Sequence, residues 1–243
     1  MHFSTVSIVI ICATALFAGV TKTGVPGLGN LLVPLIAMAM PVRASTGFLL
    51  PILIAADCMA VIYWRRNAVW SHLFRILVWT ALGVILGYFL MLIISEAAFK
   101  PLLGGMIVVL MALDLLRRLA KIEFKAENRI FAAVIGILAG AFTMMANAAG
   151  PVMTIYLLSM GLPKEEFVGT GAWFYFIMNL FKAPFSVALG LITWQTLTFD
   201  VLLIPLIVAG AFAGIFVMKR LPQKVFDVSA QVLAAIGGIK LFF

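Results

Sequence analysis

Acidic residues, histidine and cysteine are the scarce components of this chain of 243 residues, which holds nine Asp and Glu, two His and two Cys. Cys12 and Cys58 lie inside apolar runs, and no Cys-x-x-Cys pair or Cys/His cluster exists. Neither a disulfide framework nor a zinc site is indicated. His2 and His72 stand near segment ends and form no metal constellation. Charged residues of both signs make up only 11% of the chain, where a soluble domain carries about 25%. That shortage excludes an ordinary cytosolic enzyme, a disordered chain and a secreted disulfide scaffold. No G-x-S-x-G, H-E-x-x-H or P-loop pattern occurs, so neither enzyme chemistry nor a cofactor is expected.

What the chain has in quantity is apolar surface. Hydrophobic residues make up 65% and the mean hydropathy is +1.20. One core could not hide so much apolar area in water, and a lipid bilayer is the solvent that suits it. The first run, Phe3 to Val20, has no basic leader and no clear small-residue cleavage site, and reads as a retained membrane helix.

Ten apolar runs are separated by polar or Pro/Gly punctuation: Phe3–Val20, Leu28–Met40, Ala44–Tyr63, Leu73–Ile94, Phe99–Leu116, Ile130–Met145, Ala149–Met160, Phe167–Leu191, Leu197–Met218 and Val225–Phe243. The fold class expected is all-α, a polytopic membrane protein. A spanning helix needs about 20 residues, and Leu28–Met40 and Ala149–Met160 are too short to cross alone. Each follows a break, Thr21–Gly27 in one case and Ala146–Ala148 in the other. A shift of 122 residues aligns Leu35 with Leu157, Met38 with Met160, Pro41 with Pro163 and Gly47 with Gly169, and sets Asp57 opposite Asn179. The order of elements repeats with it. This divides the chain into an N-terminal transmembrane repeat (residues 1–119), a basic cytoplasmic linker (120–129) and a C-terminal transmembrane repeat (130–243). Five segments per repeat is an odd number, so the second copy is inverted relative to the first.

With the N-terminus outside, 12 of the 17 Lys and Arg residues fall on the inner side and three on the outer, leaving Lys22 and Lys182 in apolar surroundings. The formal charge of +8 is then a topology signal, since positive loops face the cytoplasm, and no nucleic-acid partner is needed. Trp64, Trp70 and Trp194 are placed as interface aromatics. Inverted repeats with short, interrupted segments in matching positions mark secondary transporters.

The candidate site gathers at the two breaks. Lys22 adjoins Gly24-Val25-Pro26-Gly27-Leu28-Gly29-Asn30, where Gly24, Gly27 and Gly29 let backbone approach a ligand and the following helix start offers N–H groups to an anion. The alternative is a helix junction with Lys22 snorkelling to the headgroups. Lys182 lies deep in an apolar segment, costly by about 2.5–3.5 kcal/mol on insertion scales, and is expected to mark a pathway or to pair with Asp57. Asp57 could neutralise a lysine or carry a coupling proton. Asn30 and Asn147 can donate to an oxyanion or cap the short helices. Asp114 and Asp200, near segment ends, are expected to be solvated. Three Gly-x-x-x-Gly pairs, starting at Gly83, Gly136 and Gly210, point to close helix packing.

The glycine-rich break, the short apolar helix after it and the turn Met40-Pro41-Val42-Arg43-Ala44 resemble the TauE/SafE sulfite exporter family. In the second half the same unit shows as Gly150-Pro151, Gly161-Leu162-Pro163-Lys164-Glu165-Glu166 and Gly169-Thr170. The second break departs from the pattern, with Ala146, Ala148 and Ala149 where glycines are often found. The resemblance runs from about Ile10 to Phe243. It implies a bacterial inner-membrane permease of two related halves for sulfite, sulfonates or similar sulfur oxyanions. On this reading Lys22, Gly24, Gly27, Gly29, Asn30, Asn147, Gly150 and Lys182 bind substrate and Asp57 couples protons. A passive anion channel, or a transporter of another small anionic metabolite, is the alternative. A homodimer stays open as a partner arrangement.

Overall fold

The computed structural model describes residues 4–24, 29, 32–95, 98, 105, 129–226, 228–229 and 232. Among them all regular structure is helical: α1 (Thr5–Thr23), α2 (Leu32–Ala37), α3 (Val42–Trp64), α4 (Trp70–Ile93), α5 (Arg129–Ala146), α6 (Gly150–Leu158), α7 (Lys164–Ala188) and α8 (Trp194–Arg220). The all-α polytopic class holds, and α2 and α6 are the short helices expected. The fifth run, residue 105 apart, lies outside the described residues, and so does most of the tenth. Asp114 falls there too.

Local chemistry sets the helix ends. The Ser4 side chain accepts from Ser7 N–H at the start of α1, and Thr193 with Thr196 forms a reciprocal capping box at the start of α8. Pro41 and Pro163 precede α3 and α7 at matching places. The α5 helix stops because Asn147 adopts φ +53°, a left-handed geometry that Asn tolerates better than most residues. The Asn147 N–H then donates to Thr143 O and Ala148 N–H to Phe142 O. Pro151 stands in the first turn of α6, where its missing N–H costs nothing.

Five of these helices, α1, α3, α4, α5 and α8, are long and apolar enough to cross a membrane. About two-thirds of the α3 span is buried inside the bundle, against one-third for α1, α4 and α8. The centre is α3 against α7, with α5, 61% buried, facing inward; α1–α8 and α4–α5 pack as two further pairs. Exposed large side chains such as Phe74, Val78, Leu82, Phe89, Val201, Leu202, Phe212 and Phe216 line α4 and α8. A surface so apolar is stable only against lipid or another apolar partner.

The two outer pairs pack alike in detail. A Cβ on Gly19 would meet Ile207 O and Ala211 N, and a Cβ on Gly140 would meet Thr80 O and Val84 N. Gly210 abuts Leu16 O as Gly83 abuts Ile137 O. These contacts correspond at a shift of 121 between α1 and α5 and of 127 between α4 and α8, whereas 122 relates α3 to α7. The Gly-x-x-x-Gly pairs are thus backbone-contact sites. Gly140→Val sets a Cβ against the Thr80 carbonyl and adds two methyls to it; overpacking costs about 1–3 kcal/mol. The expected outcome is a clear fall in the detergent melting temperature, with Ala141→Val on the same helix as a milder comparison.

Three expectations are corrected. Trp64 is not an interface aromatic: it is buried and its indole N–H donates to Thr23 O at 2.9 Å, tying the last carbonyls of α1. Trp70 and Trp194 are exposed. Asp200 is not solvated, because it lies on the buried stripe of α8 with Thr196, Leu203 and Ile207. Its carboxylate has no hydrogen-bond partner among the described residues. The first break begins later than expected, since Thr21, Lys22 and Thr23 complete α1. They remain helical because α8 supports that turn: Thr23 Oγ1 donates to Ala211 O at 2.8 Å.

Candidate functional site

The ends of α1 and α5 and the start of α6 come together against the middle of α7 around a cavity of about 70 Å³. At about 10–15 Å³ per water position, this space takes a few waters or one small ion. Its polar wall is Thr21, Lys22, Thr143, Asn147, Thr154, Tyr175 and Asn179, and Leu53, Leu157, Phe167 and Val168 complete it with apolar surface. The α7 residues come from one face, since Val168, Gly171, Tyr175 and Asn179 recur every three or four positions.

Lys22 closes one side. Its Nζ lies 2.8 Å from Asp57 Oδ1 and 3.9 Å from the centre of the Tyr175 ring. The lysine therefore turns inward to a carboxylate and an aromatic face, and the snorkelling alternative is set aside. Asn179 Nδ2 donates to Asp57 Oδ2 at 2.5 Å. Asp57 and Asn179 are 122 residues apart, so each residue touches its own counterpart under the sequence shift.

Lys182 closes the other side from behind the wall. Its Nζ donates to Thr143 O at 3.0 Å, Thr143 Oγ1 at 2.8 Å and Asn147 Oδ1 at 2.6 Å. Asn147 Nδ2 in turn donates to Thr46 O at 2.8 Å. The expected Lys182–Asp57 pair is not formed; Asp57 takes Lys22 instead. The Asn147 amide bonds Lys182 and Thr46 and makes no side-chain cap to α6, whose N-cap is Ala149. Three acceptors match the three hydrogens of an ammonium, and no carboxylate meets Lys182 among the described residues. The helix does not stop past this point, since α7 continues through Pro184 to Ala188.

Of the residues expected to bind substrate, Lys22, Gly29, Asn147 and Gly150 line the cavity, whereas Lys182 stands one contact behind it. Asp57 likewise sits behind Lys22 and Asn179. Gly24 faces elsewhere, because a Cβ there would run into the backbone of Gly214. Gly27 and Asn30 lie outside the described residues. Gly150 opens α6, whose first-turn N–H groups have no acceptor within their own helix. No group of three or more His, Cys, Asp and Glu able to hold a metal occurs among the described residues.

Sequence reasoning missed Tyr175, Thr21, Thr143 and Thr154. Tyr175 lies four residues before Asn179 and seven before Lys182, so helical spacing back from the lysine would have found it. Thr21 and Thr143 are 122 apart, at the shift used for the turns. A cation–π contact of this kind is worth about 0.5–2 kcal/mol. Tyr175→Leu should weaken ligand binding about 3- to 30-fold in a titration on purified protein, and Tyr175→Phe, which keeps the ring, should change it little.

The family model described as sulfite exporter TauE/SafE matches residues 11–241. No curated protein and no solved structure matches the chain.

Proposed function

The chain belongs to the TauE/SafE sulfite exporter family, and from that premise we propose that it is a secondary-active transporter of a small sulfur oxyanion, sulfite or an organosulfonate. The family and the apolar helices make it a multi-pass membrane protein and a permease. The reading adds the substrate class, coupling to protons through Asp57, and the inner membrane of a bacterium as its place. The observation that carries it is one small cavity with Lys22 on its wall, held by the buried carboxylate of Asp57, and the buried Lys182 one contact behind it. Buried charge in lipid is expensive and marks a pathway; an excess of cations over carboxylates suits an anion.

In the same reading, residues 1–119 and 130–243 are two inverted copies joined by the cytoplasmic linker 120–129, with the N-terminus outside. Support comes from the matching glycine contacts of α1–α8 and α5–α4 and from the Asp57–Asn179 contact at the repeat shift. Lys22 offers its ammonium to the anion from the wall, the α6 start offers backbone N–H groups, and Lys182 adds charge through Thr143 and Asn147. Rocking of the two halves about α3 and α7 would open the cavity to each side in turn.

Anion-dependent thermal stabilisation of the purified protein tests the substrate class. Sulfite, thiosulfate, sulfate and methanesulfonate should raise the melting temperature, by about 2.7 kcal/mol of stabilisation at a hundred times Kd. Stabilisation by cations alone, or by none of these, would overturn the proposal.

A further inference from the structure

We propose that the charge of the bound anion sets how many protons the site takes up, with Asp57 accepting one more proton for a dianion than for a monoanion. This rests on the anion reading above and deepens it by assigning a valence rule to the same cavity.

The site holds two ammonium groups and one carboxylate. Asp57 spends one oxygen on Lys22 and the other on Asn179. Lys182 meets only neutral oxygens. With Asp57 ionised, the three groups sum to one uncompensated positive charge, which one monoanion balances. A dianion leaves a net negative charge in a low-dielectric interior, where uncompensated charge is costly. A proton on Asp57 restores neutrality. It also removes the reason for Lys22 to face Asp57, and frees an ammonium already on the cavity wall to meet the anion. Asn179 can keep donating to the other oxygen throughout.

Asp57 is placed to respond to this charge. The cations that act on it are Lys22 from α1 and Lys182 from α7; Tyr175 from α7 and Cys58 on its own helix feel its charge. The α2 helix has no ionisable side chain. The ionisable residue of α5, Arg129, is at the far end of that helix, and on α8 Asp200 stands in the second turn and Lys219 and Arg220 at the last two positions. The counterpart of Asp57 in the second half is Asn179, a neutral residue of the same shape. One proton is therefore the limit for this pair.

Sulfate and methanesulfonate are a matched pair of probes: both are small tetrahedral sulfur oxyanions, one a dianion and the other a monoanion at neutral pH. Isothermal titration of the full-length protein in two buffers of different ionisation enthalpy gives the protons taken up with each. Sulfate should take up one proton more than methanesulfonate. Its Kd should rise with pH about tenfold more steeply per unit than that of methanesulfonate. Asp57→Asn should abolish the difference. Equal uptake for the two anions in the unmodified protein, or a difference that persists in Asp57→Asn, overturns the valence rule while leaving anion binding standing. Should Asp57→Asn not fold, the unmodified protein decides the matter alone, with Lys22→Gln/Asp57→Asn as the second variant. If neither anion binds, the anion reading falls and the rule with it.

Discussion

Lys22→Met is expected to abolish transport and to destabilise the protein by about 3–5 kcal/mol, because it leaves the Asp57 carboxylate buried without its cation. Asp57 is fully buried, and its remaining partner is one amide N–H from Asn179. Replacing both members of a buried ion pair by apolar residues is often neutral or stabilising. The double variant Lys22→Met/Asp57→Leu should therefore recover the melting temperature lost in Lys22→Met and still show no saturable anion flux. Stability and function separate in this cycle, and each is read by its own measurement: thermal melting in detergent, and flux in liposomes. A double variant that regained transport together with stability would reduce Lys22 to a structural tie between α1 and α3.

The second large effect is expected at Lys182. Methionine in its place removes a charge and leaves Thr143 Oγ1 and Asn147 Oδ1 without the donor they share, while Thr143 O keeps the Asn147 N–H. Each orphaned buried acceptor costs about 1–3 kcal/mol. The charge itself sits behind the wall, and hydrogen bonds to charged groups contribute about 1.5–3 kcal/mol. Half-saturating sulfite should rise about 10- to 100-fold in protein that still elutes as a single species. The Asn147 tie to Thr46 O should loosen too, so the α5–α6 junction should exchange its amide hydrogens faster. Unchanged half-saturation with a lowered melting temperature would make Lys182 a brace between α5 and α7.

Much of this architecture was legible before any coordinates. Length and hydropathy separated the full-length helices from α2 and α6, because the need for about 20 residues to cross a bilayer is a hard bound. Pro41 and Pro163 announced the starts of α3 and α7, since proline favours the chain entering a helix and not its interior. Lys22, Asp57 and Lys182 stood out for the same reason they matter: a charge in an apolar run has to be compensated somewhere. Which lysine meets Asp57 was not legible. The answer depends on α1 ending one turn later than its composition suggests, held there by Trp64 and by the Thr23 bond to Ala211, and long-range ties leave no mark in local sequence. Asp200 was misplaced by the same route: distance from a segment end says nothing about which face of α8 it occupies. Tyr175 escaped notice because an aromatic in an apolar helix is ordinary until a cation is known to stand over it.

The most direct test of the central claim is counterflow in proteoliposomes. Vesicles preloaded with unlabelled sulfite and diluted into a trace of radiolabelled sulfite should accumulate label transiently, with a rate that saturates in sulfite and is lost in Lys22→Met/Asp57→Leu. Flux that rises linearly with concentration, shows no transient accumulation and persists in that double variant would contradict a transporter built on this pair of charges.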